Sequence, residues 1–216
     1  MQNDASIVYV VDDQADVRRS LSLILKSAGY EVQTYGDGDA FLRDATPDLP
    51  FGCVLLDLWM RATDCLAVQR KLAARGLCLP VVAITAHGSV RLAVQMMKAG
   101  ACDVLEKPYS CTTILRAIAA ALAATRERRD AAQEAHEAEA RIAALSPREA
   151  EVLTGMVAGQ QNKLIAQQLR ISPRTVEIHR ANLMAKLQAR SLPEAVRMAL
   201  SAGIRPVASN PQRSHR

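Results

Sequence analysis

The chain has 216 residues, 50% hydrophobic, 23% charged and 3% aromatic, with a formal charge of +5. Such a composition fills real cores and excludes a disordered chain, a collagen and a small disulfide scaffold. No apolar run approaches the ~20 residues of a membrane span. The start, Met1-Gln2-Asn3-Asp4, lacks the basic and apolar regions of a signal peptide, so a cytoplasmic protein without membrane association is expected.

The charge is uneven. Residues 1–124 carry a net −1, residues 125–144 also −1, and residues 145–216 carry +7. A basic last third on a near-neutral body points to a polyanion partner, usually nucleic acid. The five cysteines, Cys53, Cys65, Cys78, Cys102 and Cys111, are odd in number and form no CxxC pair. They read as reduced packing residues rather than disulfides or a zinc site.

In chain order, short apolar runs at Ile7–Val11, Glu31–Tyr35, Cys53–Leu58, Leu79–Thr85 and Ala101–Leu105 predict strands. Between them lie helical stretches, such as Val17, Leu21, Ile24, Leu25 and Ala28 on one face. Strand alternating with helix predicts a parallel five-stranded sheet covered on both faces, an α/β flavodoxin-like fold over residues 1–124. No Gly or Pro interrupts the segment between Pro108 and Pro147. It predicts a helix of about 33 residues, ~50 Å long, whose 125–144 portion connects two parts of the chain as a solvated linker. Arg126 with Asp130 and Glu137 with Arg141 are spaced to support it at i,i+4.

Ser146-Pro147-Arg148-Glu149 has the form of a capping box with Pro at the first helical position. Ser172-Pro173 and Ser191-Leu192-Pro193-Glu194 repeat the start, and Gly159 suits a helix end. Residues 145–203 therefore read as an all-helical unit of three short helices with clear starts, and residues 204–216 as a loose tail. Helices at Ala166–Leu169 and Val176–Leu187, separated by Arg170-Ile171-Ser172-Pro173, have the layout of a helix-turn-helix. Val176, Leu183 and Leu187 recur at core spacing. The polar side of that helix carries Arg174, Glu177, Ile178 and Ala181, flanked by Thr175, Arg180, Asn182 and Lys186.

Parallel strands bring their carboxyl ends to one edge of the sheet. Asp12 and Asp13 follow the first strand, Asp57 ends the third, Thr85 ends the fourth and Lys107-Pro108 follows the fifth. Clustered carboxylates form a hard-oxygen site of the kind Mg²⁺ accepts. A carboxylate beside a metal, a hydroxyl and a lysine can take a phosphoryl group as an aspartyl-phosphate. Singly, each residue also suits a cap or turn; together, at successive strand ends, they point to a site.

Val10-Val11-Asp12-Asp13, Leu55-Leu56-Asp57, Thr85-Ala86 and Lys107-Pro108 resemble the receiver domains of two-component response regulators. That resemblance implies Asp57 as phosphoacceptor, with Asp12, Asp13, Asp57 and the backbone of Trp59 holding Mg²⁺. It also implies Thr85 and Lys107 as readers of the phosphoryl group and a cis bond before Pro108. The chain departs from the pattern at Arg61 and Cys65, where receivers carry Pro and Gly, and at Val104, where they carry an aromatic residue. Tyr109 remains aromatic after the Lys-Pro pair. Trp59 and His87 each stand two residues past a pocket residue, and Trp59 is expected to shield an acyl phosphate from water.

Leu145-Ser146-Pro147-Arg148-Glu149-Ala150-Glu151-Val152-Leu153, Asn162-Lys163-Leu164-Ile165-Ala166 and Thr175-Val176-Glu177-Ile178-His179-Arg180 resemble the LuxR-type helix-turn-helix. With a receiver, the whole resembles a response regulator of the FixJ/NarL class. This implies control of transcription on double-stranded DNA with RNA polymerase, a sensor histidine kinase as phosphoryl donor, and a homodimer when phosphorylated. By the same likeness Glu177, Ile178 and Ala181 face bases, while Lys163, Arg174, Thr175, Arg180 and Asn182 face phosphates or groove edges. Arg91, Gln95, Lys98 and Cys102 would lie on the dimer face. An atypical receiver with phosphorylation-independent DNA binding is the alternative that Arg61, Cys65 and Val104 leave open. A phosphatase of the haloacid-dehalogenase kind needs a second Asp two residues beyond the nucleophile, where Trp59 stands, so a non-enzymatic regulator is expected.

Overall fold

The computed structural model describes residues 6–61, 64–85 and 90–205. His87 and the tail beyond Arg205 lie outside them. Contacts divide the chain into two compact units, Met1–Arg129 and Asp130–Arg216.

The first unit alternates strand and helix as the hydrophobic pattern predicts. Its strands are β1 (Ile7–Val11), β2 (Glu31–Tyr35), β3 (Gly52–Asp57), β4 (Val81–Thr85) and β5 (Asp103–Glu106). All pair in parallel, in the order β2-β1-β3-β4-β5. Every residue of β1, β3 and β4 is buried, which is why these three read as unbroken apolar runs. The edge strands β2 and β5 are largely exposed and correspondingly polar.

Alternation along the strands sends side chains to two cores. Tyr9, Val11, Val54, Leu56, Val81 and Ala83 face one side. There α2 (Gly38–Asp44), α3 (Cys65–Ala74) and α4 (Val90–Lys98) cover them with Phe41, Val68, Leu72 and Met96. Val8, Val10, Cys53, Leu55, Val82 and Ile84 face the other. That side is closed by Leu21 and Leu25 of α1 (Ala15–Ser27) and by Ile114, Ile118 and Leu122 of α5 (Cys111–Ala143). Gly52 opens β3 beside Ile7. A Cβ there would run into the Ile7 carbonyl and the Tyr9 ring, so the close pairing of β1 and β3 requires glycine.

Helix α5 is 33 residues long and unbroken, as expected, and the division between units falls within it. Glu137 and Arg141 pair at 3.6 Å. Arg126, in contrast, does not serve the expected i,i+4 pair with Asp130. Its guanidinium donates to Ser6 Oγ at 2.8 Å and lies with Arg129 over the Phe51 ring. A flat aromatic face offers two cations more than one exposed carboxylate does.

The second unit contains α6 (Pro147–Val157), α7 (Asn162–Leu169), α8 (Pro173–Leu187) and α9 (Leu192–Ser201). Three of these start at the serines read from the sequence. Ser146 closes a full capping box with Glu149, while Ser172 and Ser191 accept from the backbone N–H of Thr175 and Glu194. The start of α7 departs from expectation: it lies at Asn162, four residues before Ala166. Its N-cap, Gln161, makes no side-chain capping bond, so no local signal marked it. Val152, Leu153, Ile165, Val176, Leu183 and Leu187 lead the core that these helices share. Among the described residues no helix is long and apolar enough to cross a membrane.

Candidate functional site

Because β1, β3 and β4 are neighbours, the residues at their carboxyl ends converge. Val11 pairs with Leu56 and Asp57 with Ile84, so Asp12, Asp57 and Thr85 stand side by side at one edge. Asp12 and Asp57 are each 1% exposed, Thr85 is buried and Asp13 is half-buried. Carboxylate oxygens of Asp12, Asp13 and Asp57 lie within 4.8 Å of one another.

Several bonds fix this edge. Asp12 Oδ1 accepts from the Gln14 N–H at 2.8 Å, and Arg18 donates to the Asp12 carbonyl at 2.6 Å. The Lys107 N–H donates to the Thr85 carbonyl at 2.7 Å, and the Leu58 N–H to that of Ile84 at 2.8 Å. Lys107 Nζ is 3.4 Å from Asp57 Oδ1 and 3.6 Å from Asp12 Oδ2. The Lys107-Pro108 bond is cis, as the resemblance implied.

The electrostatics are those of a crowded acidic pocket. Burial pushes the Asp57 carboxyl above its ordinary range; the Lys107 ammonium opposes the rise, and the Asp12 charge adds to it. Tyr109 rises too, through burial and then the charges of Asp12 and Asp57. Asp12 Oδ2 and both carboxylate oxygens of Asp57 are buried without a hydrogen-bond partner among the described residues. Buried carboxylate oxygens left in this state are costly unless a cation meets them. The donor set is three hard oxygens, which fits Mg²⁺ and not a thiophilic metal.

Two contributors had no sequence signal. Cys65 departs from the receiver pattern, yet its thiol packs at 3.0 Å from the Asp57 carbonyl oxygen and so braces the strand end. Arg18, on α1, ties that helix to the Asp12 backbone. The Arg61 backbone N–H is 3.4 Å from Asp13 Oδ2. The Trp59 side chain is 57% exposed beside the pocket.

On α4, Arg91, Gln95 and Lys98 are exposed as expected, and so is a neighbouring apolar stripe of Val90, Val94 and Met97. The sequence reading missed that stripe because apolar residues at helical spacing read as core. Cys102 is half-buried and packs against the core closed by α1 and α5, on the sheet face opposite the one that buries Met96 of α4.

In the second unit, α7 and α8 flank a turn at residues 170–172, where Arg170 takes the left-handed conformation at φ 55°. Lys163, Arg174, Glu177, Ile178, Ala181 and Asn182 are all exposed. Ile178, 55% exposed, is a large apolar group with no core role. Thr175 and Arg180 are half-buried. The Thr175 hydroxyl pairs with that of Ser172 at 2.8 Å, and Arg180 donates to Asn162 Oδ1 at 2.5 Å, holding α8 against the start of α7.

Fold and site together define a receiver joined to a helix-turn-helix. Residues 8–119 match the response regulator receiver domain, and residues 143–199 match the bacterial regulatory proteins of the luxR family. The chain belongs to the response regulators that carry a LuxR-type DNA-binding domain, a family of transcription regulators rather than enzymes. It is 44% identical to the transcriptional regulatory protein FixJ of Bradyrhizobium diazoefficiens, over 91% of this chain and 96% of that protein. It is also 44% identical to FixJ of Rhizobium meliloti, over 92% and 97%. Among solved structures it is similar to the response regulator StyR, with a TM-score of 0.77 and 38% identity over 91% of this chain and 98% of that one. Full-length FixJ from B. japonicum gives a TM-score of 0.59 and 44% identity, covering 92% and 97%.

Proposed function

We propose that a sensor histidine kinase phosphorylates Asp57, and that this modification promotes homodimerisation and sequence-specific binding of double-stranded DNA. The observation that carries the reading is the convergence of Asp12, Asp13 and Asp57 around Lys107 in a chain that also exposes the polar face of α8. A carboxylate oxygen of Asp57 attacks the phosphorus of a phosphohistidine; the P–N bond breaks as the O–P bond forms, and the imidazole leaves. Mg²⁺ would be held by Asp12, Asp13, Asp57 and the backbone carbonyl of Trp59, and it supplies charge neutralisation for the transferred oxygens. Lys107 offsets the same charge from the protein side, and the Thr85 hydroxyl donates to one of those oxygens.

The functional division follows from this: residues 1–124 receive the signal, residues 125–144 connect, and residues 145–203 read DNA. The face that dimerises is the exposed side of α4, with Val90, Val94 and Met97 supplying apolar contact and Arg91, Gln95 and Lys98 its rim. On DNA, Glu177, Ile178 and Ala181 face base edges, and Lys163, Arg174, Thr175, Arg180 and Asn182 approach phosphates and groove edges. Glu177 accepts from a cytosine amino group, and RNA polymerase in the cytoplasm is the final partner.

A second reading keeps DNA binding but removes its dependence on phosphate. It rests on Val104, which packs half-buried against the core where receivers carry an aromatic switch. One experiment separates the two. Treating the protein with beryllofluoride and Mg²⁺, with Asp57→Ala as control, is expected to shift wild type alone from monomer to dimer on gel filtration and to raise its operator affinity. Unchanged assembly and affinity in wild type would leave the phosphate-independent reading standing.

A further inference from the structure

Lys186 lies in the last turn of α8, and a lysine on a recognition helix is ordinarily assigned to the DNA backbone. Here its ammonium is 2.7 Å from Glu149 Oε2. The same oxygen accepts from the Ser146 backbone N–H, also at 2.7 Å. One carboxylate oxygen therefore closes the capping box of α6 and holds the C-terminal turn of α8. Glu149 is 4% exposed, so stripping its cation would leave a buried charge uncompensated. The Lys186 hydrogen bond first, and the Ser146 N–H second, hold the Glu149 carboxyl down at about 2, so Glu149 is ionised at any physiological pH.

The position of the pair gives it leverage. Leu183 and Leu187 anchor the same end of α8 in the core, and Arg141 of α5 approaches the Leu187 carbonyl at 3.5 Å. A helix transmits a shift at one end to the other as a rigid rod. From Lys186 to Glu177 is nine residues, or roughly 14 Å along the axis at ~1.5 Å per residue. A small change of tilt at the Lys186 turn thus displaces Glu177 and Ile178 by a distance that matters to base contacts.

We propose that Glu149 and Lys186 are positioning residues for DNA reading: their ion pair sets the tilt of α8 on α6 and withholds Lys186 from the phosphates. The inference rests on α8 being the DNA-reading helix.

The test uses the full-length protein and a duplex that wild type enriches from a randomised pool, with poly(dI-dC) as the non-specific competitor. Glu149→Gln keeps the capping acceptor but not the charge. Glu149→Gln and Lys186→Met should each lower affinity for the enriched duplex about tenfold, the size of one misplaced base contact. Affinity for poly(dI-dC) and the slope of log affinity against log salt should stay at wild-type values. The double variant should be no worse than either single, and Lys186→Arg should restore most of the loss. If Lys186→Met instead flattens the salt slope by about 0.9 while Glu149→Gln binds like wild type, Lys186 is a phosphate contact and the proposal is overturned. Unchanged discrimination in every variant overturns it equally. Should Glu149→Gln fail to fold, the contrast between Lys186→Met and Lys186→Arg decides alone. If wild type enriches no duplex, the DNA-reading role of α8 is what has failed, and the proposal goes with it.

Discussion

Single side chains at the pocket do separable jobs. Among the described residues, Asp12 Oδ2 and both Asp57 carboxylate oxygens are buried without a hydrogen bond, Lys107 offsets their charge, and Cys65 braces the Asp57 carbonyl. Trp59 differs from all of these in being mostly exposed. It follows Asp57 by two residues, and an exposed indole there is the group expected to cover an acyl phosphate on Asp57. Trp59→Asn is therefore expected to speed loss of the phosphoryl group severalfold, measured by decay of radiolabelled phosphoprotein; an unchanged rate would refute the shield. Glu149 provides a pH signature. Its pKa is depressed to about 2 in the folded protein, so its contribution to stability is fully present above the ordinary value of about 4.5 and is lost as pH falls towards about 2. The stability gap between wild type and Glu149→Gln should shrink over that window, as followed by urea unfolding at a series of pH values. The carboxylates, Thr85 and Lys107 were legible because strand ends are marked by hydrophobic runs. Cys65 and Arg18 were not, because their contacts depend on which helix crosses which strand.

At the level of elements, local chemistry explains most boundaries. Serine caps start α6, α8 and α9, and the absence of Gly and Pro keeps α5 in one piece. Where the cap is silent, as at Gln161, the start of α7 was misplaced by four residues. The helix ends carry a cost. Arg170 and Gln188 both sit at φ 55°, in a region that favours glycine. Gln188 follows α8 on an exposed turn, so Gln188→Gly should stabilise the protein by about 0.5–1 kcal/mol through relief of left-handed strain. Chemical denaturation measures this directly; a loss of stability would mean that the unfolded-chain entropy of glycine outweighs the strain.

For the whole molecule, charge and surface decide behaviour. The +7 on residues 145–216 predicts binding that weakens steeply with salt. If about five to eight phosphates are contacted per subunit, the log–log slope should be about −5 to −7 per subunit, measurable by fluorescence anisotropy on a labelled duplex. A slope near zero would remove the electrostatic basis of the DNA-reading role. Sequence by itself determined the five-stranded parallel sheet, the unbroken connecting helix, the helix-turn-helix and the residues at the strand ends. Each of these follows from periodicity, caps and breakers that act within a few residues along the chain. Only the tertiary structure decided that Lys186 belongs to Glu149, that Arg126 turns to Ser6 and Phe51, that Cys102 packs half-buried on the side of α1 and α5 and that Val90, Val94 and Met97 stay exposed. Those outcomes depend on distances between segments far apart in sequence, and packing settles them by burying whichever groups happen to meet.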